Sequence, residues 1–230
     1  MLQKAQSESW ECVPGFSLKT VHTKQANMQK PCMKKVPNET FGMVETDDTK
    51  IKKEVEEMNY ADIKKVDVAN GPGVRVSLFV SGCTHHCKNC FNPETWDFHY
   101  GKAFTSFTIQ EIVEYLKPDY IKGLTLLGGD PVEPQNQEAL LPLLEAVKKA
   151  YPQKSIWCYT GYDFDKDILG EMWENGSVTK TFFSYIDVLV DGEFKEELKD
   201  LGLKFKGSAN QRTILVQESL EKGEIVLYPL

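Results

Sequence analysis

The sequence has few arginines and no long hydrophobic run. Only Arg75 and Arg212 among its 27 basic residues are arginine, and the net charge is -7. Guanidinium groups bind phosphate backbones well, so their scarcity argues against a nucleic-acid partner. No apolar run exceeds four residues, whereas a membrane-spanning helix needs about 20 and a secretory signal has its own apolar core. We therefore expect a cytoplasmic protein that contacts neither membranes nor nucleic acid.

The chain divides into two parts by its apolar pattern. Residues 1–57 show no persistent helical or alternating pattern and are interrupted by prolines, whereas residues 58–230 carry regular patterns. We expect a poorly structured, flexible N-terminal extension at 1–57 and one domain at 58–230. Cys12 and Cys32 lie in the extension without a paired spacing, so we interpret them as free thiols.

Strands and helices alternate along the predicted domain. Runs of β-branched and aromatic residues predict strands at 74–81, 121–127, 155–159 and 185–190, and two more near 213–217 and 224–228. Helical spacing predicts helices from a capping box at Thr108–Glu111 to Pro118, over 140–147 with a start or a kink at Pro142, at 163–175, and briefly near 193–201. The alternation predicts an α/β protein with a parallel sheet and too few units for a closed eightfold barrel.

Three of the six cysteines form a cluster. Cys83, Cys87 and Cys90 have C-x3-C-x2-C spacing in a loop that follows the first predicted strand. Such clustering indicates metal ligation more readily than disulfides. A structural zinc site has four protein ligands, so three cysteines suggest a centre whose fourth position is open to a substrate. The alternative is a zinc site completed by His85, His86 or Cys158.

The cysteine spacing is that of the radical S-adenosylmethionine superfamily. Together with four further motifs, it resembles the activating proteins of the anaerobic (class III) ribonucleoside-triphosphate reductase: Asn70–Arg75, Cys90–Asp97, Gly128–Pro131 and Gly207–Gln211. The resemblance covers about residues 58–212. It implies a partial open (β/α) barrel, with a 4Fe-4S cluster on Cys83, Cys87 and Cys90 whose fourth iron binds S-adenosylmethionine.

The resemblance also implies contacts for S-adenosylmethionine. Gly128, Gly129 and Asp130 correspond to a motif that binds the methionine amino group. Thr160 lies at the end of the next predicted strand, and from that position we take it as a candidate contact for the methionine carboxylate or the ribose. Many superfamily members have an aromatic residue just before the third cysteine, where this chain has Asn89. We therefore assign the adenine contact to the backbone of Asn89, Cys90 and Phe91.

The implied reaction needs no acid-base residues of the chain. An external donor such as flavodoxin or ferredoxin reduces the cluster, S-adenosylmethionine is cleaved, and the resulting radical removes a hydrogen atom from a glycine of the reductase. One alternative is an activator of another glycyl radical enzyme, such as pyruvate formate-lyase. A different class of alternative is a non-catalytic binding module stabilised by zinc.

The remaining motif residues carry weaker expectations. Asn70–Gly73 and Gly207–Gln211 are interpreted as rim loops that either dock the protein substrate or form tight turns. Cys158, on a predicted strand, is expected to be buried in the core. His85 and His86 are expected to be exposed on the cysteine loop.

Overall fold

The fold is a mixed seven-stranded sheet with helices, seen in a computed structural model that describes residues 58–229. The predictions for residues 1–57, including Cys12 and Cys32, lie outside the described residues. The strands are β1 Asn59–Asp67, β2 Val74–Val80, β3 Lys102–Ala103, β4 Ile121–Gly128, β5 Ser155–Tyr159, β6 Val188–Asp191 and β7 Arg212–Leu215. The predicted α/β class is confirmed.

The sheet is parallel in its centre and antiparallel at both edges. Its order is β3-β1-β2-β4-β5-β6-β7. The pairs β2–β4, β4–β5 and β5–β6 are parallel, whereas β1 pairs antiparallel with β2 and β3, and β7 with β6. The expectation of a parallel sheet is therefore wrong at the edges. The loop between β1 and β2 is too short for the crossover that a parallel pair needs, so these strands run antiparallel.

Five α-helices and one π-helical segment complete the described fold. They are α1 Ser106–Tyr115, α2 Pro134–Ala150, the π-helical Phe164–Met172, α3 Trp173–Asn175, α4 Ser177–Tyr185 and α5 Val216–Lys222. Two helix starts differ from prediction. The capping box is formed by Thr105 and Thr108, one turn before the predicted one, and α2 begins at Pro134 and continues through Pro142. Proline suits the first helical turn because its missing N–H would be unpaired there anyway.

The carboxyl-terminal elements also differ from prediction. The predicted strand at 213–217 is divided between β7 and α5, because the chain becomes helical at Val216. The predicted strand at 224–228 forms only one isolated bridge, between Ile214 and Leu227. The predicted helix near 193–201 is reduced to a single 3₁₀ turn at Glu196–Leu198.

The two faces of the sheet bury different sets of residues. One face packs against α1, α2 and α4 in the main core, which includes Leu78, Leu126, Cys158, Leu143 and Phe182. The other face carries a smaller aromatic group, in which Trp157, Val188 and Val190 pack with Tyr159, Phe205 and Tyr228. In the described part of the chain, no helix is long and apolar enough to cross a membrane.

Arg75 is buried beneath the loop between β1 and β2 and bonds to the neighbouring strands β4 and β5. Its Nε donates to Thr125 Oγ1 at 2.7 Å, and its Nη2 donates to the carbonyls of Leu124 and Ser155 at 2.7 and 2.8 Å. Gly71 crosses this side chain with φ +122°, and a Cβ there would lie 2.7 Å from Arg75 Cδ. The Asn70–Arg75 motif therefore contains a tight turn over a buried arginine, and its turn requires glycine.

Candidate active site

A cavity of about 500 Å³ lies against the smaller aromatic face of the sheet. This volume is in the range of small-molecule sites. Its wall combines residues from the ends of β2, β4 and β5 with residues of the loop that follows β6. The lining includes eight of the predicted site residues: Cys83, Cys87, Cys90, Phe91, Gly128, Gly129, Asp130 and Thr160. The carboxyl ends of parallel strands are where such sheets usually bind ligands.

The cysteine loop is fastened to the start of α2. Glu133 Oε1 accepts hydrogen bonds from both the backbone N–H and the hydroxyl of Thr84, each at 2.7 Å. Asn136 Nδ2 donates to the carbonyls of Ser81 and Asp130 at 3.0 and 2.8 Å. Both side chains are buried, and neither was predicted from the sequence. Their nearness to the Gly128–Pro131 motif was the available signal.

The surroundings of the three cysteine side chains favour binding to a metal cluster over remaining as free thiols. Cys83, Cys87 and Cys90 are free thiols, partly exposed, on the wall of one cavity. Burial raises the pKa of Cys83 to about 12, with Asp130 adding to the shift, and burial also raises the pKa of Cys87. Ligation to iron supplies the positive charge that a buried thiolate needs. The residues present therefore fit the cluster that the resemblance implies.

The candidate fourth ligands for zinc lie in different surroundings. Cys158 is fully buried in the main core, as expected, and is absent from the cavity wall. His86 is exposed and its ring lies 4.8 Å from that of Trp96. Within residues 58–229, no three Cys, His, Asp or Glu side chains form a set that could hold a single metal ion.

His85 is not the exposed residue that we expected. Its side chain is only 11% exposed, and its Nε2 lies 3.1 Å from Asp130 Oδ2 while its Nδ1 lies 3.3 Å from Glu193 Oε1. Burial lowers the pKa of His85, but the carboxylates of Asp130 and Glu193 outweigh this effect, so the pKa is raised. The ring also packs edge-on against Tyr162 at 4.4 Å. His85 thus fastens the cysteine loop to two other walls of the cavity.

The Gly128–Asp130 turn packs directly against the end of β2. Gly129 N donates to the Val80 carbonyl at 2.7 Å, and Asp130 N donates to the Gly82 carbonyl at 2.8 Å. Gly128 has φ +110°, and a Cβ on Gly129 would lie 2.5 Å from the Gly82 carbonyl oxygen. Both glycines are therefore required by this close backbone contact, in addition to any approach of a ligand.

The Asp130 carboxylate binds three donors of the protein itself. Its Oδ1 accepts from Val132 N at 2.8 Å, and its Oδ2 accepts from Thr160 Oγ1 and Gly161 N, both at 2.9 Å. The side chain is 2% exposed. Asp130 and Thr160, two of the predicted contacts, are thus joined to each other, and the shared bond fixes the loops after β4 and β5.

The loop after β6 closes the opposite wall. Gln211 Oε1 accepts from Gly207 N and Ser208 N at 2.8 and 3.2 Å, and its Nε2 donates to the Gly192 carbonyl at 2.9 Å. Asn210 Nδ2 donates to the Glu193 carbonyl at 2.9 Å. The Gly207–Gln211 motif therefore forms a tight turn, and Gly207 and Gln211 also line the cavity.

Of the residues predicted to contact adenine, some line the cavity and one lies on the protein surface. Phe91 lines the cavity, and its ring packs against that of Phe194 with 5.0 Å between the ring centroids. Asn89 is exposed with φ +56° and is the one predicted site residue that is not on the wall.

Comparisons with known proteins show the family to which the chain belongs. Residues 69–214 match the family described as 4Fe-4S single cluster domain. The chain is 46% identical over 156 residues to the anaerobic ribonucleoside-triphosphate reductase-activating protein of Haemophilus influenzae, a match that covers 67% of this chain and 96% of the relative. The protein of the same name from Enterobacteria phage T4 is 43% identical over 155 residues, covering 67% and 92%. That from Escherichia coli K12 is 41% identical over 156 residues, covering 67% and 96%. The chain therefore belongs to the family of anaerobic ribonucleoside-triphosphate reductase-activating proteins.

Proposed function

We propose that this chain activates an anaerobic ribonucleoside-triphosphate reductase by generating a glycyl radical on it, with a 4Fe-4S cluster and S-adenosylmethionine. The observation that carries the proposal is the opening of Cys83, Cys87 and Cys90 onto one cavity beside the Gly128–Asp130 turn. The chain is an enzyme of the activating-protein type, and its relatives' names supply the reductase as partner.

The cluster is held by Cys83, Cys87 and Cys90 in this proposal. Bound there, the cluster would supply one-electron reducing chemistry for the cleavage of S-adenosylmethionine to methionine and a 5'-deoxyadenosyl radical, and that radical would take a hydrogen atom from the partner's glycine. The chain's own residues position the reactants and exclude water. Glu133 and His85 hold the cysteine loop in place, so the thiolates are fixed before the cluster binds.

S-adenosylmethionine is assigned to the wall next to the cysteines. Gly128, Gly129 and Asp130 form the surface for the methionine amino group, and Thr160 lies beside them for the carboxylate or the ribose. The backbone of Asn89, Cys90 and Phe91 remains the candidate for adenine. The three hydrogen bonds that the Asp130 carboxylate accepts hold it in a fixed orientation. Its negative charge attracts an ammonium group.

The same proposal specifies the type of barrel, the electron donor and the cellular compartment. We assign the sheet to the partial open (β/α) barrel of the radical S-adenosylmethionine type, with β1 and β7 near its two open edges. An electron donor such as flavodoxin or ferredoxin supplies the reducing equivalent. The reducing cytoplasm is the compartment that suits three free thiols and an iron-sulfur cluster.

The test is radical formation on the partner. The reconstituted protein is mixed without oxygen with S-adenosylmethionine, a strong reductant and the anaerobic reductase of the same organism. We expect a glycine-centred signal in electron paramagnetic resonance, together with methionine and 5'-deoxyadenosine. Activation of a different glycyl radical enzyme, such as pyruvate formate-lyase, in place of the reductase would overturn the choice of partner. If S-adenosylmethionine is not cleaved by the reduced protein, the proposed chemistry is wrong.

A further inference from the structure

Leu201 is both strongly exposed and part of the cavity lining. It is 91% exposed, and it lies in the loop after β6 that forms one wall of the cavity. Single exposed leucines are common on protein surfaces, so exposure alone does not mark an interaction site. A residue that lines a cavity and is also almost fully exposed must lie at the rim, where the cavity meets the protein surface.

The turn that carries Leu201 is held by polar contacts of other residues. An isolated bridge between Lys199 and Ser208 closes the loop at its base. At the turn itself, Asp200 Oδ1 accepts a hydrogen bond from Gly202 N at 2.7 Å. The exposed side chain of Leu201 takes no part in these bonds. Shortening it should therefore leave the loop folded, and an effect of such a change on binding would report the rim contact directly.

The rim at Leu201 is close to the cysteine loop. The Nζ of Lys199, two residues before Leu201, lies 5.2 Å from the centre of the Phe91 ring, and Phe91 directly follows the candidate ligand Cys90. Phe91 is itself 60% exposed and lines the same cavity. Two exposed apolar side chains, from different loops, therefore border the cavity near the candidate cluster ligands.

The proposed function requires the reductase to cross this rim. The reacting glycine belongs to another protein, and reacting atoms must approach to about 3 to 3.5 Å. A small molecule bound inside the cavity cannot cover a side chain that is almost fully exposed, whereas a protein that reaches into the cavity covers its rim. We infer that Leu201, together with Phe91, makes an apolar contact with the reductase surface around its glycine-bearing segment. This inference rests on the proposed function and names part of its docking surface.

The variant Leu201→Ala tests this contact because it shortens only the exposed side chain. The thermal unfolding midpoint, and the cleavage of S-adenosylmethionine without the reductase, should not change. The dissociation constant of the reductase from the cluster-loaded protein should rise roughly tenfold, as expected when a leucine that is buried in a complex is truncated. Leu201→Met keeps a large apolar side chain and should bind almost as well as wild type.

Leu227→Ala is the matched control, because Leu227 is also exposed, at 60%, and lies off the cavity wall. It should bind the reductase as wild type does, and an equal loss of affinity in this variant would overturn the inference. Unchanged affinity in Leu201→Ala would also overturn it. A changed requirement for S-adenosylmethionine alone would assign Leu201 to that molecule, and slower reduction of the cluster by flavodoxin alone would assign it to the electron donor.

The inference and the proposed function can fail separately, because binding of the reductase is measured apart from radical formation. Wild-type protein that binds the reductase but forms no radical on it would overturn the proposed function. Radical formation by wild type, with no loss of binding in Leu201→Ala, would overturn only the contact. If the wild-type protein does not bind the reductase, both are wrong.

Discussion

Asp130 and Thr160 join the loops that follow two neighbouring strands, because Thr160 Oγ1 donates to Asp130 Oδ2 at 2.9 Å. β4 and β5 are parallel, so their carboxyl ends lie side by side at one edge of the sheet. Gly161 N donates to the same oxygen at 2.9 Å. One carboxylate therefore sets the distance between two walls of the cavity, and its role as a contact for S-adenosylmethionine depends on that arrangement.

Asp130→Ala should weaken both the fold and the binding of S-adenosylmethionine. Its removal leaves the donors of Val132, Thr160 and Gly161 without their acceptor, which we expect to lower the free energy of unfolding by about 2 to 4 kcal/mol. Loss of the charge should also weaken S-adenosylmethionine binding by about tenfold or more. Denaturant unfolding and equilibrium binding to the cluster-loaded protein measure the two effects.

Thr160→Val separates these effects. This variant removes one hydrogen bond between the loops but keeps the carboxylate, so we expect a smaller loss of stability, about 1 kcal/mol, and a smaller loss of affinity. If S-adenosylmethionine binds equally well to the Asp130→Ala protein, the carboxylate serves only to hold the loops together.

The cysteine assignments predict a sharp difference between four single variants. Replacement of Cys83, Cys87 or Cys90 by alanine should abolish a reducible 4Fe-4S signal after anaerobic reconstitution, because each removes one ligand. Cys158→Ala should retain the signal, since its side chain is buried in the core and is absent from the cavity wall. Absorption and paramagnetic resonance spectra, with iron analysis, make the measurement. Equal loss in Cys158→Ala would mean that all four coordination positions belong to the protein.

Glu133 should control how well the cysteine loop receives the cluster. Glu133→Ala removes the acceptor for both donors of Thr84, so the loop loses its connection to the start of α2. We expect lower cluster content at a fixed iron and sulfide supply and a faster loss of iron to a chelator. Glu145→Ala, on the exposed side of the same helix, is the control. Wild-type iron retention in Glu133→Ala would show that the cysteines hold the cluster without this support.

Much of the central fold follows from the sequence because its signals are local. The predicted strand at 155–159 is correct to the residue, and the one at 121–127 ends one residue early. These strands are buried on both sides, so their apolar runs are dense. β1 was missed because it carries the charged stretch Asp62–Lys65 and, beyond its two-residue pairing with β3 at Asn59 and Tyr60, is exposed along the sheet edge. Edge strands of this kind commonly carry charge.

The candidate ligand-binding residues of the site could be predicted from the sequence, whereas the residues that hold its loops in place could not. The cysteines and the Gly128–Asp130 turn have characteristic spacing, and the structure brings them to one wall. Glu133, Asn136 and His85 act through contacts between loops that are distant in sequence, so the sequence offered no more than the nearness of Glu133 and Asn136 to the Gly128–Pro131 motif. The two glycines were assigned to ligand approach, whereas their contacts with Val80 and Gly82 are enough to require them.

Gln211 should determine whether the loop after β6 stays closed over the cavity. Its side chain makes three hydrogen bonds, to Gly192, Gly207 and Ser208, and Gln211→Ala removes all of them. We expect the free energy of unfolding to fall by about 1 to 3 kcal/mol and the amides of residues 193–208 to exchange hydrogen faster, because local opening becomes easier. Hydrogen exchange followed by mass spectrometry, with and without S-adenosylmethionine, measures the opening directly. Asn210→Ala removes one hydrogen bond to the Glu193 carbonyl and should produce a smaller change in the same loop. Exchange that is equally slow in Gln211→Ala and wild type would mean that the loop is held by its other contacts, such as the ring pair of Phe91 and Phe194.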